Sequence, residues 1–192
     1  KKNFVAGFSF SDQYNVNTPI YVESAYKNIR GVNGNTIVIP VKWTLQSLNP
    51  VILSPLTGQN PLWKDLVLMI KKAQNEGLQV WVSPEIELSP MAVKQFGQED
   101  FPPNWEQYFS SLYSEFIIFS ADLANYMNIE GVIFPTDILH LYKFQNYATL
   151  SEVMTTTTLS NMDDIRARFS NNVFISLNGA ELADTAILSE VD

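Results

Sequence analysis

Three carboxylates stand where an apolar strand gives way to a loop. Asp137 lies in the run Glu130 to Leu139 (EGVIFPTDIL), in which the apolar strand Val132 to Phe134 turns polar at Thr136. A carboxyl group at such an edge can pass a proton to or from a reacting group, or it can cap the backbone N–H groups of the turn that follows. Asp137 admits both readings. Glu85 and Glu87 sit two apart at the end of Leu78 to Leu88 (LQVWVSPEIEL), so on a regular strand they share a face. Such a pair could hold a cation, bind hydroxyl groups through charge-assisted hydrogen bonds, or be a solvated strand end. Trp43 closes the strand Thr36 to Trp43 (TIVIPVKW), and Asp12 and Tyr14 lie in the turn Ser11-Asp12-Gln13-Tyr14-Asn15. The rings of Trp43 and Tyr14 are candidate stacking surfaces, although core packing accounts for Trp43 equally well. His140, the only histidine, could orient a ligand or simply stand on the surface. With one His and no Cys, a transition-metal site, a thiolate nucleophile and a disulfide framework are not expected, and no cofactor motif is present. Calcium held by carboxylate loops is the one metal chemistry left open.

The elements that must position these residues alternate. Asn3 to Ser11 (NFVAGFSFS) reads as a first strand, followed by a helix over Thr18 to Ile29 with Thr18 as N-cap and Pro19 at its first position. The turn Gly31 to Asn35 leads to the strand ending at Trp43, and a long loop is expected over Thr44 to Gln59. Asn60-Pro61 opens a helix over Pro61 to Glu76 that Gly77 closes, and the strand carrying Glu85 and Glu87 follows. A helix over Trp105 to Met127 is expected to turn Tyr108, Leu112, Phe116, Phe119 and Leu123 inward. After the Asp137 strand comes a helical stretch, Thr149 to Phe169, with a break expected at the β-branched run Thr155 to Thr158. Asn172 to Leu177 (NVFISL) is a fifth strand, and a segment Ala186 to Leu188 lies near the end. Trp63, Trp81 and Trp105 fall inside these patterns as core, whereas Asp163-Asp164 and Glu190 to Asp192 read as solvated charge.

Strand–helix alternation implies parallel strands joined by right-handed crossovers. The first βα turn lacks the spacing of a dinucleotide or P-loop site, which disfavours an open nucleotide-binding sheet. The expected fold is therefore α/β, a (β/α) barrel of TIM type. Five strands in 192 residues fall short of a barrel of about 250 residues, so it is expected to be incomplete, forming one domain over residues 1–192 or the amino-terminal part of one. A net charge of -8 with only 12 basic residues argues against a nucleic-acid partner. No apolar run approaches bilayer length, so membrane insertion is not expected. The start Lys1-Lys2-Asn3 enters a strand directly, as in a mature or trimmed chain.

From Asn35 to Leu139 the sequence resembles the clan A glycoside hydrolases, and within them the family 113 mannanase type. The resemblance is carried by IVIPVKW, WKDLVLMIKKAQNEGLQV, VWVSPEIEL, NWEQYFSSLYSEFIIFSADLANYM and the Asp137 strand. It implies hydrolysis of β-linked polysaccharide by two carboxylates, an extracellular or cell-surface setting, and carbohydrate as the partner. In that family the matching strand ends in Thr-Glu or Asn-Glu, whose Glu is the acid/base; here the pair is Thr136-Asp137. The family's nucleophile belongs to a seventh strand, so the resemblance also implies completion by a further segment or another chain. Asp12, Tyr14, Trp43, Glu85 and Glu87 would then contact the sugar. A second reading is a carbohydrate-binding or interaction domain derived from such a barrel.

Overall fold

The computed structural model describes residues 6–9, 14–97, 102–136, 138 and 147–176. Asp12, Asp137 and His140 lie outside the described residues, as do the outer parts of the first strand and Ala186 to Leu188. The elements are β1 (Gly7–Ser9), α1 (Thr18–Gly31), β2 (Thr36–Leu48), β3 (Val51–Ser54), α2 (Trp63–Asn75), β4 (Gln79–Leu88), α3 (Pro90–Phe96), α4 (Trp105–Met127), β5 (Gly131–Pro135), α5 (Tyr147–Ser160), α6 (Met162–Arg168) and β6 (Asn172–Ser176). Parallel neighbours run β1-β2-β4-β5-β6, and β3 folds back antiparallel on β2. Spatial order therefore follows chain order. A doubly wound sheet reverses at its switch point; this one does not, and it is an incomplete TIM-type barrel of about five strands.

Register assigns the faces. In a parallel pair, partners point the same way, and β2 and β4 pair Ile37 with Val80, Ile39 with Val82, Val41 with Pro84 and Trp43 with Ile86. Ile37, Ile39, Val41, Val80 and Val82 are fully buried beneath the helices, the side on which Trp43 meets Phe116 of α4. The alternate residues Thr36, Val38, Pro40, Lys42 and Thr44, with Gln79, Trp81, Ser83, Glu85 and Glu87, line the inner, concave face. On the outside, α2 buries Leu66, Met69, Ile70 and Ala73, a stripe at helical spacing, and ends at Gly77, whose φ of +72° suits glycine.

Three expectations need correction. The loop expected over Thr44 to Gln59 is largely strand: β2 runs on to Leu48, turns at Asn49-Pro50 and returns as β3, burying Leu45, Leu48 and Leu53. Apolar residues on both sides of an Asn-Pro turn were the available signal. The α4 stripe is displaced, because Phe109, Tyr113, Phe116, Ile117 and Leu123 are buried while Tyr108 stands 62% exposed. A helix this apolar offers two competing faces, and the phenol at Tyr108 is the one that gains by meeting water. The helical break falls at Asn161, not in the threonines. Thr155 and Thr158 donate their hydroxyls to the carbonyls of Ser151 and Met154, each four residues back, and Thr155, Thr157 and Thr158 are buried. Packing and internal hydrogen bonds override their weak propensity.

Among the tryptophans, Trp105 is buried, whereas Trp63 and Trp81 are half-buried. Trp81 lies over Gly131 on the inner face and stacks on Phe174 at a centroid distance of 5.2 Å with planes 19° apart. A Cβ on Gly131 would run into the Trp81 ring, which explains glycine inside a strand. Gly131→Ala is therefore expected to cost about 1–3 kcal/mol, as overpacking does. Urea unfolding checks this, and Trp81→Leu in the same chain should recover much of the loss.

Candidate functional site

Toward the carboxyl end of the β2–β4 pairing, the inner face carries a connected polar group. Lys42, only 7% exposed, places Nζ 2.9 Å from Oε1 of Glu87. The Nδ2 of Asn60 donates to Oε2 of the same carboxylate at 2.8 Å. Asn60 is itself fully buried, and its Oδ1 accepts from the Thr44 hydroxyl and the Leu56 N–H, both at 2.8 Å. Those two donors fix the amide orientation, so its nitrogen must face Glu87. Glu87 thus joins both strands and the segment before α2. Glu85 is half-buried on the same face, level with Lys42 in the register. Asn60 does not open α2 as expected; Leu62 takes the N-cap place, and its N–H is satisfied by Asp65.

The end of β5 is tied on several sides. Tyr113 of α4 donates its hydroxyl to the Pro135 carbonyl at 3.3 Å. The Thr136 N–H and hydroxyl both reach the Ser176 carbonyl of β6, at 3.3 and 2.8 Å, and the Ser151 hydroxyl of α5 reaches the Thr136 carbonyl at 2.8 Å. Thr136 is fully buried. Burial raises the Tyr113 phenol above its ordinary range, which keeps it protonated as a donor. The Pro135–Thr136 end of the strand is thereby held by three elements, α4, α5 and β6.

The remaining expected site residues are dispersed. Tyr14 is half-buried after β1 and hydrogen-bonds Asp65 of α2. Its pKa is raised to about 12, first by desolvation, then by that hydrogen bond and the Asp65 charge. Trp43 is on the helix-facing side of β2, away from Glu85 and Glu87; its ring stacks on Phe116 at 4.8 Å and meets Phe119 at 5.6 Å. These contacts account for it as packing. The sequence reading overlooked Lys42 and Asn60. Lys42 carried a signal, being the one charge inside TIVIPVKW with even spacing from Thr44, while Asn60 looked like an ordinary helix start. Among the described residues, no group of three or more acidic or His side chains is arranged to hold a metal, and no helix is long and apolar enough to cross a membrane.

No family model matches this sequence, and no curated protein matches it. Solved structures do. A GH113 β-mannanase from Alicyclobacillus acidocaldarius, in complex with ManMIm, superposes with a TM-score of 0.71 at 16% identity, covering 98% of this chain and 59% of that one. A complex structure of a GH113 β-1,4-mannanase gives 0.68 at 14% identity, over 98% and 60% of the two chains. Another GH113 β-1,4-mannanase structure gives 0.65 at 15% identity, over 90% and 55%. The chain has the fold of the amino-terminal portion of these barrels and spans about three-fifths of the first one's length.

Two outcomes test the anchoring. Thr136→Val keeps the shape and removes one buried hydroxyl donor, so a loss of about 1 kcal/mol is expected in urea unfolding. Because the Tyr14 pKa is raised, its contribution is fully present below about pH 10 and is lost as pH rises toward about 12. Unfolding midpoints measured across that window should fall less steeply in Tyr14→Phe than in the native chain.

Proposed function

We propose that this chain forms part of a glycoside-hydrolase-like barrel whose carboxyl-terminal face binds a β-linked, mannan-type polysaccharide. The observation that carries the reading is the connected polar group on the inner face, toward the carboxyl end of the β2–β4 pairing. Lys42, Thr44 and Glu87 are joined there through Asn60, with Glu85 level with Lys42 in the register. Barrels of this type gather their chemistry at that end. The likeness to GH113 β-mannanase structures supports the choice of glycan.

In this reading Asp137 is the acid/base. It follows the anchored Pro135–Thr136 end of β5 and protonates the glycosidic oxygen as the bond breaks. Retention of configuration requires a second carboxylate about 5 Å away, which we assign to strands that complete the ring. Glu85 and Glu87 bind sugar hydroxyls, and Asp12 and Tyr14 are further sugar contacts in this reading. The polysaccharide is met outside the cell. A second reading, a glycan-binding domain without turnover, is favoured by the aspartate at position 137, whose side chain is one methylene shorter than the glutamate of the family resembled.

The test is incubation with β-1,4-linked mannohexaose, following products and binding in parallel. A polypeptide that carries these residues together with the ring-completing strands is expected to hydrolyse it, and Asp137→Ala to lower the rate by about a hundred-fold or more. The 192-residue chain alone is expected to bind without turnover. Turnover unaffected by Asp137→Ala overturns the assignment of the acid, and absence of binding overturns both readings.

A further inference from the structure

We propose that Glu87 is a specificity-determining residue that takes two adjacent hydroxyls of one sugar ring, with Lys42 and Asn60 as the positioning residues that hold its carboxylate for them. This rests on the glycan reading above and names the group that would select the ligand. The Glu87 side chain is 37% exposed, yet its partners are buried: the Lys42 side chain is 9% exposed and Asn60 is fully enclosed. Each partner takes one carboxylate oxygen, Lys42 at Oε1 and Asn60 at Oε2, at 2.9 and 2.8 Å. A carboxylate offers about four lone-pair sites. One bond to each oxygen leaves accepting capacity on both, on the side open to the barrel face.

Electrostatics narrows the ligand. A phosphate or carboxylate would meet the Glu87 charge. A divalent cation would have to share Glu87 with an ammonium already 2.9 Å from Oε1. Neutral hydroxyl donors face neither obstacle, and charge-assisted bonds to a carboxylate are the strong kind. Two acceptor oxygens in one plane match two hydroxyls on neighbouring ring carbons. The side chain needs no ordering on binding, because Lys42 and Asn60 already fix it, and Asn60 is fixed in turn by Thr44 and Leu56.

The experiment is calorimetric titration of the 192-residue chain with β-1,4-linked mannotetraose and with the same sugar fully O-methylated. Glu87→Gln is expected to weaken binding of the free sugar about ten-fold, the equivalent of one charge-assisted hydrogen bond. Lys42→Met and Asn60→Ala should weaken it several-fold, and Lys42→Arg should restore most of the affinity. All variants should bind the methylated sugar as weakly as the native chain does. Equal affinity of Glu87→Gln and the native chain for the free sugar overturns the proposal. So does an equal proportional loss for both sugars, which marks damage to the fold. If Lys42→Met or Asn60→Ala fails to fold in a thermal melt, the near-isosteric Glu87→Gln compared across the two sugars decides alone. A native chain that binds neither sugar overturns the glycan reading itself, whereas binding that is indifferent to Glu87 overturns only this inference.

Discussion

The parallel pairing of β2 with β4, unbroken from Thr36 opposite Gln79 to Leu45 opposite Leu88, is the constraint on which the rest depends. Side chains alternate along a strand, so this register decides at once which residues meet the helices and which line the concave face. A slip of one residue would turn the slipped strand's side chains to the opposite face. If β2 slipped, Ile37, Ile39 and Val41 would leave the core and Lys42 would turn toward the helices; if β4 slipped, Val80 and Val82 would leave and Glu85 would turn in. Burying a side chain of that apolar kind is worth about 1.5–3 kcal/mol, and an unpaired buried charge costs more still. The register is fixed by both penalties together, and the polar group at the carboxyl end is a consequence of it.

That polar group carries a local cost of its own. Taking an ammonium out of water is expensive, and a buried ion pair often only breaks even against a well-packed apolar substitute. The pair of Lys42 and Glu87 avoids the worst of this because only the cation is deeply enclosed; the carboxylate stays in reach of solvent and gains a second donor in Asn60. A residue pair serving packing alone would gain nothing by leaving its anion open. The hairpin of β2 and β3 contributes indirectly, since the return of β3 leads the chain back to place Leu56 and Asn60 over Thr44.

Much of this was legible in the sequence, and the exceptions share a cause. Alternating strands and helices gave the barrel type, and four of the five parallel strands fall within the stretches where periodicity placed them, while β2 runs five residues past Trp43. The misread features are those in which tertiary contacts override local preference. Thr155 and Thr158 are poor helix residues whose hydroxyls bond back within α5. The stripe of α4 was ambiguous because large apolar residues stand on more than one side of the helix, Tyr108 and Tyr126 among them. Trp43 and Lys42 are adjacent, so they point to opposite faces. Choosing the ring as the sugar contact was a choice of face that only the position of α4 resolves. Asn60 could not be found from its neighbours, because its partners Thr44 and Glu87 are 16 and 27 residues away.

The same anchoring bears on what an aspartate at position 137 can do. In the resembled family the corresponding residue is glutamate, and aspartate carries its carboxyl about 1.5 Å less far, one carbon–carbon bond. A loosely held strand end could move forward to compensate. Here the Pro135 carbonyl is held by Tyr113, and the N–H, hydroxyl and carbonyl of Thr136 are all taken by Ser176 and Ser151. Sliding β5 would break several of these buried bonds, at about 1–3 kcal/mol for each group left unsatisfied. The strand therefore cannot supply the missing reach at low cost. Under the glycan reading proposed above, a ligand would have to come closer to position 137 or be held chiefly by the carboxylates of β4. In the second case the organising group would be Glu87, whose carboxylate is already held by Lys42 and Asn60.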